Sequence, residues 1–498
     1  MCSLFRPIAV MTPDTASLLD IFIRLLKGLA AAWPQDRTSA RAVRLALGHV
    51  LCLGAHNIAR VIATCGRDQL DWSSEYRLFS RCKVATGQMF RPVLAEAVAL
   101  ALPPGTEAAE PLWIAGDHTH LIKSGKHIPG VQTIRDPMSP AYHVNLCQGM
   151  RFFHLAVLAA PWRKTGDADV PARSLSVLFE PSPTIRRPGK RATADEHIQY
   201  KKQLRERHSA QAARNQIQQL RVDADACGAA AHTMIVALDG AFSNKVFFKT
   251  PMERVELIAR LRKDASLCFQ APPPVKGKPR SFYAKEKFTP DQVRCDDETY
   301  PWSKVPVRTG GIMHEIRYKE ITDVLWQRGA GRRKVRLIVI APTGYRLTKK
   351  SKLLYRAPAY LITTDLTTPA VILIQGYIDR WQIEVTHREI KDTFGVEDSQ
   401  VRNAESVPRH PAFGVAICSL LHIAAIKAFG PRRTSDYLPR PKWGRHSVRP
   451  SLLDIIQLVR DQTAQRVEQG TGEAANHTAS LPGGLLLDLR RWVTKAAA

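Results

Sequence analysis

The chain has 498 residues, 45% of them hydrophobic, and 72 Lys plus Arg against 45 Asp plus Glu give a formal net charge of +27. That length exceeds one ordinary core and predicts about three domains, while the apolar share excludes a disordered polyelectrolyte. The charge excess predicts a polyanionic partner, nucleic acid ahead of an anionic membrane surface.

Residues 14–102 are expected to be helical, with a break at Trp33-Pro34, and form an N-terminal domain over 1–105. HNIARVIATCGRDQLDWSSEYRLFSR fits either a helix-turn-helix or a generic bundle. From Pro111 the pattern turns to strands: LWIAGD (112–117), GMRFFHLAVLAAPW (149–162) and HTMIVALDG (232–240). A Pro-rich basic loop and a long polar helix, with Ile198, Leu204, Ile217 and Leu220 among its sparse apolar positions, precede the last of these. ERVELIARLRKDASLCF (253–269) predicts a helix followed by a strand, and residues 271–365 read as a β-rich insertion. GYIDRWQIEVTHREIKDTFG (376–395) predicts one helix. At about 100° per residue, Tyr377, Arg380, Glu384, Arg388 and Lys391 share one polar face. Ile374, Ile378, Trp381 and Val385 form an apolar stripe beside it. AFGVAICSLLHIAAI (412–426) is shorter than the ~20 residues of a membrane span and predicts a buried helix. GPRRTSDYLPRPKWGRHSVRP (430–450), with Tyr437 and Trp443 between its cations, reads as a basic linker or a DNA contact. A helical tail follows.

Nine cysteines stand singly from Cys2 to Cys418, without a Cys-x-x-Cys pair. That usage argues for a reducing cytoplasm and against a zinc cluster or disulfide framework. The N-terminal stretch MCSLFRPIAVMTPD lacks the charged-then-apolar order of a signal peptide.

Asp117 and Asp239 end two predicted strands, where functional side chains gather in sheets of this kind. Glu384 adds a third carboxylate. Three acids from distant parts of a basic chain suggest two divalent cations, Mg²⁺ with Mn²⁺ able to substitute, about 3.5–4 Å apart. Lys391, Arg380 and Arg388 would then hold phosphates, and Tyr377 would offer a hydrogen bond or a stacking face. Bland roles compete: either aspartate as a turn residue, Glu384 as a solvated helix acid, and His118, His120, Trp302 and Trp326 as packing groups. Asp365, in YLITTDL, is expected to be a structural turn.

The run Tyr377, Arg380, Glu384, Lys391, spaced Y-x2-R-x3-E-x6-K, resembles the signature of DDE transposases of IS4-type bacterial insertion sequences. IAGDHTHLIKSGKHIPGV is similar to their first-aspartate segment, with Gly116 where many relatives have another acid, and VALDGAFSN to their second. The resemblance spans roughly residues 110–405. It implies a ribonuclease-H-like α/β core (106–270 and 366–430) interrupted by the β-rich insertion (271–365), after an all-α domain that binds DNA ends. It implies Asp117, Asp239 and Glu384 as catalytic metal ligands. Tyr377, Arg380, Arg388, Lys391, Lys123 and Lys126 are the expected DNA contacts. Double-stranded DNA, both transposon terminal repeats and target, would be the substrate of a homodimeric synapse, with no membrane partner and a cytoplasmic, nucleoid-associated location. A repurposed regulator without catalysis, or a structure-specific nuclease without strand transfer, are the alternatives.

Overall fold

Five helices open the chain: α1 (Leu18–Ala30), α2 (Asp36–Leu51), α3 (Ile58–Thr64), α4 (Ser73–Ser80) and α5 (Thr86–Ala101). Strands β1 (Leu112–Ile122), β2 (Gln132–Arg135), β3 (Leu146–Ala159) and β4 (Arg173–Pro181) follow. Then come α6 (Ala194–Glu206), α7 (Ser209–Ala224), β5 (Met234–Leu238), α8 (Lys245–Phe248), β6 (Val255–Arg260) and α9 (Pro290–Cys295). Next are β7 (Ser303–Thr309), β8 (Ile312–Leu325), β9 (Lys334–Ile340), β10 (Gly344–Tyr345), β11 (Leu354–Tyr355) and β12 (Ala359–Thr363). The chain continues through α10 (Ala370–Asp379), α11 (Trp381–Arg388), α12 (Ser406–Phe429) and α13 (Leu452–Gln469). This computed structural model describes residues 17–469 except 124, 126, 137–138, 141, 144, 184, 186, 190, 207, 274–280, 310, 349, 436 and 438–446. Lys126, Trp443 and the tail beyond α13 lie outside the described residues.

The fold is mixed α/β and divides into two compact units. One comprises Met1–Gly105, His118–Ser182 and Glu384–Ala498; the other comprises Thr106–Asp117 and Pro183–Ile383.

In the first unit α12 is the central element. Its sequence is apolar on every side, and a helix of that kind must be wrapped in protein. It packs against α1, α5, α13 and β4. At 24 residues it is long and apolar enough to cross a membrane, longer than the run at 412–426 suggests, yet nearly all of it is buried in the unit. In the same unit β3 pairs antiparallel with β2 and with β4, shifting register between Leu155 and Ala156. Residues 65–72 separate α3 from α4, more than the about three to four residues of a helix-turn-helix.

In the second unit the strand order is β1-β5-β6-β12-β9-β8-β7. β5 runs parallel to β1 and to β6, and every later pairing is antiparallel. The β-rich segment therefore extends the same sheet. α10 covers one face, burying Leu373 and Ile374 against Ile235, Ile258, Ile338 and Leu361.

Three expectations fail here. VELIAR was expected to be helical and is strand β6, because β5 and β12 claim its two edges and bury Leu257, Ile258 and Ala259. Pairing of this kind overrides local propensity. β1 does not stop at Asp117 but runs on to Ile122. The apolar stripe fails at Trp381, which is 59% exposed, while Gly376, Asp379 and Arg380 are buried. A helical wheel gives the faces of a helix but not which one docks.

Candidate active site

The β1–β5 ladder ends at the pair Gly116↔Leu238. Asp117, still on β1, and Asp239, the first residue after β5, come next. Adjacent strands lie about 4.8 Å apart, and in-register side chains leave the sheet on the same face. Backbone pairing of two buried apolar runs therefore sets the two carboxylates side by side, both half-buried.

α10 brings a cation and a phenol to the same place. It approaches closely because residue 376 is glycine: a Cβ there would stand 2.3 Å from the Trp113 ring of β1. Gln375 fixes the helix along its axis, its Oε1 accepting from Arg308 N–H at 2.8 Å and its amide donating to Arg308 C=O at 3.0 Å. Arg380, one turn beyond Gly376 and buried, puts Nη1 3.5 Å from Asp117 Oδ2. Its guanidinium lies 5.7 Å from the Tyr377 ring centroid. Burial raises the Tyr377 phenol pKa and the Asp239 carboxylate adds to the rise, against the pull of Arg380 and Arg260. The second unit thus gathers Asp117, Asp239, Tyr377 and Arg380. It also adds Arg260, Gly376 and Gln375, which sequence reasoning missed; the glycine inside a helix was the one available signal.

Asp365 is spent on structure. It is buried, and its Oδ1 accepts from the N–H groups of Thr367 and Thr368, each at 2.8 Å, just ahead of α10. Trp326 is buried against Phe248, and Trp302 stacks on the Lys319 ammonium at 4.5 Å.

The first unit holds the remaining candidates. Glu384 is half-buried on α11, and Arg388 is exposed four residues on. Lys391 lies in a π-helical turn, Glu389–Thr393, that closes the run before Gly395 at φ 61°. A π turn advances less than 100° per residue, so Lys391 leaves the phase expected of an α-helix. Its ammonium donates to His120 C=O at 2.6 Å and lies 3.4 Å from Glu397. Lys123 is buried and donates to the carbonyls of Glu397 at 3.0 Å and Ser399 at 2.7 Å. Burial lowers its pKa to about 8. Two further bonds pin the chain beyond the glutamate helix: His49 Nε2 with Phe394 O at 3.0 Å, and His56 N–H to Asp398 Oδ2 at 2.8 Å. His118 is a neutral packing group, its pKa brought to about 4 by burial and by Arg151, with its ring 5.4 Å from Phe153.

The first unit also hides an acid with no role in the sequence reading. Burial alone would raise the Glu389 carboxyl, yet His422, Arg173 and Arg449 hold it at about 2. His422 Nε2 is 3.2 Å from Glu389 and Arg173 Nη1 is 3.4 Å from it. The basic 430–450 segment spends its described arginines similarly: Arg432 pairs with Asp167 and Asp169, Arg433 with Asp454, and Arg449 donates to Ala172 C=O.

Chemically, Asp117 and Asp239 offer adjacent hard oxygen donors of the kind Mg²⁺ and Mn²⁺ prefer. The neighbouring Arg380 guanidinium shows that this pair already attracts positive charge. Among the described residues, no three His, Cys, Asp or Glu side chains come together closely enough to hold a metal ion.

No curated protein matches the chain. The family model for the DDE superfamily endonuclease matches residues 28–332. The match takes in α2 to α5 and both aspartate segments, and it ends before the helix of Glu384. Spanning well over half of the sequence, it shows that this chain belongs to the DDE superfamily of endonucleases.

Proposed function

We propose that this DDE endonuclease is a DNA transposase of the IS4 type, cutting at the ends of its own element and joining the 3′ ends to target DNA. The observation that carries the reading is the β1–β5 register, which sets Asp117 beside Asp239 under Arg380 and Tyr377. The parallel strands β5 and β6 after β1 agree with a ribonuclease-H-like core, and the helices before β1 with an end-binding region.

Asp117, Asp239 and Glu384 are assigned as the carboxylates that hold two Mg²⁺ ions. Ions held there supply Lewis-acid polarisation of a phosphodiester and a deprotonated water or 3′-hydroxyl. Glu384 follows Arg380 by four residues, one helical turn. Arg380 neutralises Asp117 and offers a planar fork to a phosphate. Tyr377 stays protonated and donates a hydrogen bond, since burial and Asp239 both oppose its ionisation. Arg388 extends the phosphate track. Lys391 keeps a third N–H donor beyond its contacts to His120 and Glu397. Lys123, buried among carbonyls, holds the fold instead. Work in the cytoplasm on terminal repeats and target duplex, as a homodimer, completes the proposal.

The test is cleavage of a labelled duplex carrying the DNA that flanks the coding region, with Mg²⁺ or with EDTA. Wild type should nick and then join 3′ ends in Mg²⁺ alone, and Asp239→Asn and Glu384→Gln should bind but not cut. Full nicking by either variant would overturn the assignment. Cutting without joined products would favour a nuclease that lacks strand transfer.

A further inference from the structure

In the first unit, a cleft of about 500 Å³ opens between α3, α4 and residues 400–406. Asn57, Tyr76, Ser80, Gln400, Arg402 and Asn403 line it, and buried Phe79 forms part of its wall. A cavity of about 150 Å³ holds a benzene ring, so this one takes a two-ring base with its sugar.

We propose that this cleft binds one unpaired nucleotide of a DNA strand, its base lying against Tyr76 and its phosphate facing Arg402. This rests on the reading of the chain as a DNA-cutting enzyme, and it adds a nucleotide contact that uses none of the three carboxylates. The lining is what a nucleobase needs: an aromatic face to stack on and carboxamides to meet a donor–acceptor edge. Two of those carboxamides are held in place by the backbone. Asn57 Oδ1 accepts from Arg60 N–H at 3.0 Å, and Asn403 Oδ1 from Glu405 N–H at 2.9 Å. In both, the amide N–H₂ keeps its donors for other acceptors.

Aromatic surface continues outside the cleft, where Trp72, 53% exposed, meets Tyr76 edge-on at 5.6 Å. The cleft carries one cation of its own. Arg402 lines it and is exposed, whereas Glu405 nearby in the chain is paired with Arg409. On its other side α4 buries Glu75 among Arg44 at 3.0 Å, Arg41 at 3.6 Å and Arg67 at 3.9 Å, three cations to one acid. A neutral ligand would draw nothing from Arg402; a nucleotide uses both the flat face of Tyr76 and that charge.

Fluorescence anisotropy tests this in EDTA, where no cleavage occurs, with a fluorescein-labelled duplex bearing a two-nucleotide overhang. The control carries abasic sites in the overhang. Wild type should bind the base-bearing overhang about tenfold tighter than the abasic one, the size expected of one stacked base. Tyr76→Ala should bind both alike, Tyr76→Phe should keep the preference, and Arg402→Ala should weaken both and lower the salt slope by about one. Equal wild-type affinity for the two overhangs, or a Tyr76→Ala variant that keeps the preference, would overturn the proposal, as would absence of binding. If the preference is present while Mg²⁺-dependent nicking of duplex is absent, the transposase reading fails and the nucleotide site stands.

Discussion

Glu389 and Asp117 are both carboxylates that face arginine, in different regions of the molecule and to different ends. Glu389 sits in the first unit with His422 at 3.2 Å and Arg173 at 3.4 Å, both of those side chains buried, and Arg449 adds a second guanidinium. In the second unit Asp117 has Arg380 at 3.5 Å and Asp239 beside it on the next strand. A carboxylate hemmed in by two arginines and a neutral histidine is committed to the fold. Two acids placed together on adjacent strands, with Arg380 and Arg260 near them, offer paired hard oxygens that a divalent cation can use. The lesson is that paired charge of this kind should be sorted by its acids: a single carboxylate among arginines marks a clasp, and two on adjacent strands mark a site.

Breaking each region separately tests that division. The largest effect should come from Asp239→Asn or Glu384→Gln, where losing several kcal/mol of metal-dependent stabilisation lowers cleavage by about 10³-fold or more, with thermal unfolding almost unchanged. Glu389→Ala should do the reverse. Removing one partner of a buried charge cluster costs about 3–5 kcal/mol, read as a lower denaturant midpoint, with the residual folded protein still cutting DNA.

The pH dependence sharpens the same contrast. Burial depresses the folded pKa of His422 and His410 to about 4 and of His154 to about 3, below the ordinary value of 6.5. The unfolded chain therefore binds protons at a higher pH than the folded one, and stability that is complete above pH 6.5 falls between 6.5 and 4. Glu389, at about 2 against 4.5, extends the loss from 4.5 down to 2. Melting temperature followed by circular dichroism from pH 8 to pH 4 should drop below 6.5; a flat profile would refute the buried, neutral histidines.

Gly376→Ala should cost about 1–3 kcal/mol through overpacking against Trp113, and it should lower cleavage by shifting Arg380. The smallest effect on DNA should come from Lys123→Met. Two carbonyls lose their donor, so stability falls by about 1–3 kcal/mol, yet the salt slope of DNA binding should not change. A slope lower by about one would return Lys123 to the phosphate contacts.

The strands that carry Asp117 and Asp239 are legible in sequence because LWIAGD and TMIVALD are continuous apolar runs, as expected of strands buried on both faces. β6 is not, since Glu256, Leu257, Ala259 and Arg260 in VELIAR are good helix formers and its neighbours β5 and β12 make it a strand. The burial of Lys123 is hidden by a Lys-Ser-Gly-Lys stretch that reads as a solvated loop. Nor could the Glu389 clasp be found, because Arg173, His422 and Arg449 come from segments with no motif in common. The displaced phase of Lys391 follows from one π turn, which no spacing rule anticipates.

The bonds from His49 to Phe394, His56 to Asp398 and Lys123 to Glu397 and Ser399 fasten the stretch after the glutamate helix to the opening helices and to the end of β1. That fastening works as a clutch. A pull on α2, or on the turn after it, would be borne by residues 394–399 through these bonds.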